Sequence, residues 1–456
     1  MVISAARRIA FDVLQRVEAE DAYASDELHA ALDAGIKATD AALATELTMG
    51  VLRRRGTLDF LLERNLEKPV ARLDLPVALA LRLGLYQLRF MRKVPTHAAV
   101  NESVELVKRA RKASAASLVN AVLRKATRES NKPIADFMPQ AAPIVERLAI
   151  IHSHPQWLIE RWRARIGETA TIALLEANNC TPRLTCSLNE ANAREAIFEE
   201  LAAAHLRVEP GRLLRNAFSV SGGSPSRTKA FREGSISIQD EASQAVPMLL
   251  GVKPGDRVLD LCAAPGGKTA VLARFAGESG FVLSADLYAH RLRACRAQFD
   301  RLRLDRIHLV AIDAEKPLPF ARQFERILVD APCSGTGTLA RHPEIRWRLK
   351  SEQLDEFHRL QGAILRNAIA HAAPGGRILY STCSMEPEEN ERVIDEAIKT
   401  GNVRRADTRE LSNALWPHLA TNLNAAQFFD ETGAFRTSPA RDGTDGFFGA
   451  LLIKEK

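Results

Sequence analysis

Cysteine is scarce in this chain. Its 456 residues hold six, Cys180, Cys186, Cys262, Cys295, Cys333 and Cys383, and none belongs to a C-x-x-C pair. That scarcity argues against a zinc site or any other metal centre and against a secreted disulfide scaffold, so a reduced cytoplasmic enzyme is the expectation. Long apolar runs are lacking too. Arginines interrupt the N-terminal "MVISAARRIAFDVLQRV", and neither a signal peptide nor a membrane span is expected. Carboxylates are missing from one stretch in particular. Val107 to Arg128 carries seven Lys/Arg and no Asp or Glu, and Arg53 to Arg55 adds a short basic cluster. With a net charge of +7 and a pI near 9.2, these stretches are either solvated helix faces or a track for nucleic-acid phosphates.

What is present divides the chain. At this length one core does not suffice, and two or three domains are expected. Residues 1–130 read as helical, with Ile9, Val13 and Val17 at helical spacing and Val100, Val104 and Val107 likewise. "LPVALALRLGLYQLRF", Leu75 to Phe90, also alternates with period two, but its length and its neighbours favour a buried helix. Asn131 to Pro143, with three prolines, reads as a linker. Residues 144–235 mix helical patterns ("LIERWRARIG", "NAREAIFEELAAAH") with short strands ("RLTCSLN", "NAFSVSG"), which predicts a small α+β domain. In residues 236–456 strand-like runs ("RVLDLC", "FVLSADL", "IHLVAID", "RILVDAP", "GRILYSTC") alternate with helical ones. That alternation predicts a Rossmann-like α/β domain with a parallel, doubly wound sheet, whose ligands bind at the carboxyl ends of the strands. Asp260, Asp286, Asp313, Asp330 and both Cys333 and Cys383 fall at such ends.

The first strand-to-helix turn is "DLCAAPGGKTA", Asp260 to Ala270. A P-loop needs a glycine five residues before Gly267, where this chain has Cys262, and G-x-G-x-x-G is absent. S-adenosylmethionine (SAM) suits an acidic strand end without tight phosphate contacts. Asp286 stands where a carboxylate bonds ribose hydroxyls in nucleotide folds, and Asp313 is placed to accept from an adenine amine. Each aspartate alone would be a turn or cap residue; three at successive strand ends around a Gly-Gly turn point to a cofactor.

The chemistry turns on the two cysteines. Exocyclic-amine methylation uses an N-P-P-[YF]-type turn after the fourth strand, but this chain has "DAPC" there. A cysteine fits if the acceptor is carbon 5 of a pyrimidine: a thiolate adding at carbon 6 makes carbon 5 nucleophilic, and after methyl transfer the thiolate leaves. Such a thiol needs acidifying surroundings, and Lys268 is the nearest cation by strand-end position. Spacing alone does not decide which cysteine attacks.

Together "DLCAAPGGKT", "DAPCSGTGTLARHPEIRW" and "STCSMEPEENE", with "SIQDEASQ" and the closing "DGFFGALLIK", resemble the Nop/Sun family of RNA cytosine carbon-5 methyltransferases. "VPTHAAVNESVELVK", "SLVNAVLR" and "SHPQWLIERW" are similar to the NusB-type RNA-binding front end and middle of bacterial small-subunit (16S) ribosomal RNA enzymes of that family. The resemblance implies that Cys383 is the nucleophile, that Cys333 assists product release, and that Asp330 bonds the cytosine edge. It implies a SAM-contacting set of Cys262, Ala263, Ala264, Pro265, Gly266, Gly267, Lys268, Asp286, Asp313 and Asp330. DNA cytosine methyltransferases take their nucleophile from a Pro-Cys after the fourth strand, an analogy that would select Cys333 instead. The expected partner is ribosomal RNA, with transfer RNA, large-subunit RNA or a non-catalytic assembly role as the alternatives. No membrane partner is expected, and a monomer is the default. Cys180, Cys186 and Cys295 are expected to be buried apolar residues.

Overall fold

A computed structural model describes residues 3–32, 35–189 and 193–455. The chain forms two compact units, one of residues 1–181 with 339–349 and the other of 182–338 with 350–456. The first is helical. Its central helix, Leu75–Phe90, is buried from Val77 through Gln87 without a break. Burial on all sides explains why its leucines satisfy both a period of two and a helical one. Close packing around it relies on glycine: a Cβ at Gly84 would lie 2.4 Å from a Leu123 methyl, and one at Gly50 would lie 2.0 Å from the Tyr86 ring. The one arginine of this helix's buried run, Arg82, is neutralised by Asp59, with bonds of 2.7 and 2.9 Å, and by Glu18 at 3.0 Å.

Helices Ile144–His152 and Gln156–Ala177, which the sequence pattern groups with the strands after them, pack in this first unit. So does the segment 339–349, the end of "DAPCSGTGTLARHPEIRW". There Leu339 and Ile345 join a core with Leu148, Leu158, Trp162 and Leu175. The amphipathic helices thus bury their apolar stripe against a peptide drawn from far along the chain.

The second unit begins with a four-stranded antiparallel sheet. Its strands are β1 (Leu184–Leu188), β2 (Arg207–Pro210), β3 (Ala217–Ser221) and β4 (Ile236–Ile238), in the order β2-β3-β1-β4. Cys186, opposite Phe218 and Ile238, closes a core with Leu201, Val220 and Ile236. The catalytic sheet contains β5 (Arg257–Asp260), β6 (Phe281–Asp286), β7 (Ile307–Ala311), β8 (Phe324–Asp330) and β9 (Ala372–Thr382), all parallel.

The strand–helix alternation predicted a parallel sheet, whereas this one is mixed. β10 (Val403–Arg405), β11 (Phe435–Arg436) and β12 (Phe448–Lys454) extend it antiparallel beyond β9, giving the order β10-β12-β9-β8-β5-β6-β7 with β11 on β12. The order reverses between β5 and β8, so a crevice opens at their carboxyl ends.

Candidate active site

The turn after β5 builds the floor of that crevice. Gly266 sits at φ 99° as the residue before helix Gly267–Ala276, and a Cβ there would lie 2.9 Å from the Phe299 ring. Both the left-handed backbone and the close ring require glycine. The crevice encloses a cavity of about 150 Å3 lined by Asp260, Cys262, Ala263, Ala264, Pro265, Gly267, Lys268, Asp330 and the glutamines Gln239 and Gln298.

Asp260 lies at the cavity wall, 1% exposed, and accepts from the Thr269 hydroxyl at 2.7 Å. Its other oxygen is buried without a hydrogen-bond partner among the described residues. Burial pushes its carboxyl up to about 7, against the pull of Thr269. An orphaned acceptor on the wall of a polar cavity suits a ligand that brings a positive or N–H-rich group, as the amino and sulfonium groups of SAM do.

Asp286 holds the same turn from the next strand. It is 3% exposed; its oxygens accept from the Ala264 and Tyr288 N–H groups at 3.1 Å each, and Arg291 lies at 3.4 Å. Asp313, two residues past the end of β7, accepts from the Glu315 N–H and pairs with Lys316, both at 3.1 Å. The Lys316 contact and that N–H hold its carboxyl below the usual range. Neither Asp286 nor Asp313 lines the 150 Å3 cavity.

Lys268, in the first turn of the helix, meets Asp330 at 2.7 Å, and the other Asp330 oxygen accepts from Ser381 at 2.8 Å. Burial disfavours the Lys268 ammonium, but the Asp330 carboxylate, with Cys383 and Asp260 nearby, more than offsets it and raises its pKa. The lysine therefore stays charged beside Cys383.

Asp330 pairs with Ser381 across β8 and β9. Neighbouring strands run about 4.8 Å apart, so the loops that leave them carry Cys333 and Cys383 side by side. Their sulfurs are 3.3 Å apart. The contact with Cys383, burial and the nearby Glu389 all push the Cys333 thiol well up.

Of the remaining cysteines, Cys186 and Cys295 are fully buried, and burial pushes their thiols up to about 12 and about 11. Cys180 departs from the expectation: it is exposed, just beyond helix Gln156–Ala177, with its Sγ directed at the Glu176 carbonyl. The turn that follows the helix leaves that position exposed although cysteine is an apolar residue. Burial together with Asp260, Asp330 and Asp286 pushes the Cys262 thiol well up, which makes it inert as a nucleophile.

The basic stretches also differ from their sequence pattern. Lys108, Arg109 and Lys112 pair with Glu105, Asp12 and Asp74 at 2.7, 2.6 and 2.8 Å. The carboxylates absent from the stretch itself come from elsewhere in the same unit. Arg53 is 6% exposed and donates to the Ala340 carbonyl at 2.9 Å, which removes it from any phosphate track.

Sequence reasoning missed the residues behind the cysteines. Ser334 and Ser384, each directly after a cysteine, both bond Glu389, as does Gln361. The only sequence signal was the repeated Cys-Ser dipeptide followed by "EPEENE".

The model of the family described as 16S rRNA methyltransferase RsmB/F matches residues 247–453. The NusB family matches residues 4–128, and a ferredoxin-like domain of RsmF/B-like methyltransferases matches 154–226. A probable ribosomal RNA small subunit methyltransferase B of Bacillus subtilis is 34% identical over 453 residues, covering 98% of each chain. Ribosomal RNA small subunit methyltransferase B of Pseudomonas putida is 34% identical over 420 residues, 91% of each. The crystal structure of PH0851 superposes with a TM-score of 0.82 at 25% identity, covering 100% of both chains. Among the described residues no helix is long and apolar enough to cross a membrane, and no cluster of three or more His, Cys, Asp or Glu could hold a metal ion.

Proposed function

This chain belongs to the RsmB/F family of 16S rRNA methyltransferases, and from that premise we propose that it methylates carbon 5 of a cytosine through a covalent adduct with Cys383. Methylation of ribosomal RNA with SAM as cofactor is the family's activity. The cytosine, its carbon 5 and the adduct go beyond that family-level activity. The observation that carries them is the 3.3 Å pair of Cys333 and Cys383 sulfurs beside a charged Lys268.

Carbon 5 of cytosine is too weak a nucleophile to take a methyl group unaided. The target base must first leave its stack, at a cost of a few kcal/mol. The Lys268 ammonium favours the Cys383 thiolate, which adds to carbon 6 and pushes electron density onto carbon 5. When bound, SAM supplies an electrophilic methyl group. Asp330, fixed by Lys268 and Ser381, meets the polar edge of the ring. Transfer of the carbon-5 proton to solvent water and expulsion of Cys383 then restore the aromatic ring, and the Cys333 thiol donates its S–H hydrogen bond to the departing sulfur. For the cofactor, Asp260 and the Cys262–Lys268 turn would hold the cationic methionine end. Asp286 would bond the ribose and Asp313 the adenine.

The test is to incubate the purified chain with 16S rRNA and methyl-labelled SAM, then map the label and resolve RNA–protein adducts on denaturing gels. Label on cytosine carbon 5 is expected. Cys383→Ala should form neither product nor adduct, whereas Cys333→Ala should accumulate a methylated adduct. Label on an exocyclic amine or a ribose, or an adduct only in Cys383→Ala, would reject this assignment.

A further inference from the structure

Behind the two sulfurs lies a buried carboxylate that makes no ion pair among the described residues. Glu389 is 0% exposed. Its Oε1 accepts from the Ser334 N–H at 2.7 Å and from the Gln361 amide at 3.0 Å; its Oε2 accepts from the hydroxyls of Ser334 and Ser384. Those hydroxyls are themselves 3.1 Å apart. Four donors fill the roughly four acceptor sites of an ionised carboxylate. Burial raises the Glu389 pKa, and the four donors oppose that rise.

The sequence places Ser334 and Ser384 directly after Cys333 and Cys383. One carboxylate therefore grips two loops that leave different strands, each at the residue following a cysteine. Loop contacts around it act the same way: the Gly337 N–H donates to the Cys383 carbonyl at 2.9 Å, and Asn390 donates to the Ser384 carbonyl at 2.9 Å. The alternative, an isolated structural carboxylate, would not need its partners to be the two residues adjoining the reactive pair.

We propose that Glu389 is a positioning residue for the reaction, holding the loops of Cys333 and Cys383 so that their sulfurs stay in hydrogen-bond contact. Its negative charge also disfavours a second anion at Cys333, so Cys333 keeps the proton it donates to Cys383. This inference rests on the two-cysteine reading above, since a cysteine pair without chemistry would need no such holder.

Sulfur proximity is measured without any methyl transfer. Diamide takes two electrons and both thiol protons, joining Cys333 to Cys383 as a disulfide and becoming the hydrazine. In the full-length chain Glu389→Gln should slow that reaction by about tenfold or more, because an amide cannot accept from all four donors. With RNA and SAM the same variant should accumulate the methylated adduct and lower kcat, with the KM for SAM unchanged. In guanidinium, where no fold holds the loops, variant and wild type should oxidise at one rate. Ser334→Ala, which removes a single hydroxyl, should show the same pattern to a lesser degree and decides the matter if Glu389→Gln does not fold.

Wild-type disulfide rates in both variants under native conditions would overturn the proposal. A slowed disulfide in Glu389→Gln alongside no adduct in Cys333→Ala would sink the covalent mechanism and leave the positioning role standing. Adduct in Cys333→Ala alongside an unchanged disulfide rate in Glu389→Gln would sink the positioning role alone.

Discussion

Lys268 and Arg346 are both largely buried cations in motif segments of the sequence, and they are stabilised in opposite ways. Lys268 faces a carboxylate, Asp330 at 2.7 Å, and its pKa is raised. Arg346, in the first unit, is 0% exposed, and no carboxylate accepts a hydrogen bond from it among the described residues. It donates to the carbonyls of Ser153, Asn178 and Leu339 at 3.1, 3.0 and 3.1 Å and to the Asn179 side chain at 2.9 Å. Burial, with Arg53 and Arg54 nearby, lowers its pKa to about 9. One site uses a charge; the other uses a planar fork of donors that ends helices and seats a peptide. A motif that reads as one block, "DAPCSGTGTLARHPEIRW", thus serves chemistry at its start and packing at its end.

If that contrast is right, Lys268→Met should do most harm to the reaction. Loss of a preorganised cation beside the nucleophile should lower single-turnover methylation by roughly a thousandfold, while the melting temperature moves little. Rates within a few-fold of wild type would show that the Lys268 ammonium does not serve the attack by Cys383.

Arg346→Met should leave the catalytic unit's chemistry intact and destabilise the first unit by about 2–4 kcal/mol, since several buried carbonyls lose their donors. Hydrogen exchange in residues 144–178 and 339–349 reads this directly. Arg346→Lys should be nearly as damaging, because an ammonium cannot reproduce the fork. Equal protection in all three proteins would reduce the segment to passive filling.

The contrast also shows what was legible in the sequence. Parallel strands deliver their carboxyl ends to one edge, so Asp260, Asp286, Asp330, Cys333 and Cys383 could be placed from strand order alone. The partner of a buried group could not. Glu389 lies far along the chain from Cys333, and its four donors come from three segments whose meeting no local pattern records. The antiparallel strands β10 and β11 escaped because at three and two residues they are too short to show a strand pattern. The destination of "RHPEIRW" was likewise hidden: its apolar spacing fits either unit, and only packing against Trp162 and Leu175 shows which.

Asp260 offers a third kind of pairing, a carboxylate awaiting a cation. Its folded pKa of about 7 lies above that of an unfolded aspartate. The folded state therefore binds the extra proton, and without cofactor stability should fall as pH rises from about 4 to about 7. Bound SAM favours the carboxylate, so its affinity should rise about tenfold from pH 6 to pH 8 and flatten above. Calorimetry at the two pH values checks this, and Asp260→Asn should abolish the dependence. A flat profile in the wild type would place the cationic end of SAM elsewhere.

Smallest in effect are the exposed pairs of the first unit. Changing Lys108, Arg109, Arg111 and Lys112 to Ala should reduce the log–log salt slope of RNA binding by roughly 0.7–0.9 for each phosphate that these cations neutralise. That experiment also removes ion pairs, so the opposite substitution is sharper. Lys108, Arg109 and Lys112 must leave Glu105, Asp12 and Asp74 to reach phosphates. Exposed pairs are weak, so freeing one cation should tighten RNA binding by no more than a few-fold. Glu105→Gln, Asp12→Asn and Asp74→Asn should each strengthen binding at low salt, with the gain vanishing as salt rises. Unchanged affinity in all three would mean that these cations, like Arg346, serve the fold and leave the RNA to other residues.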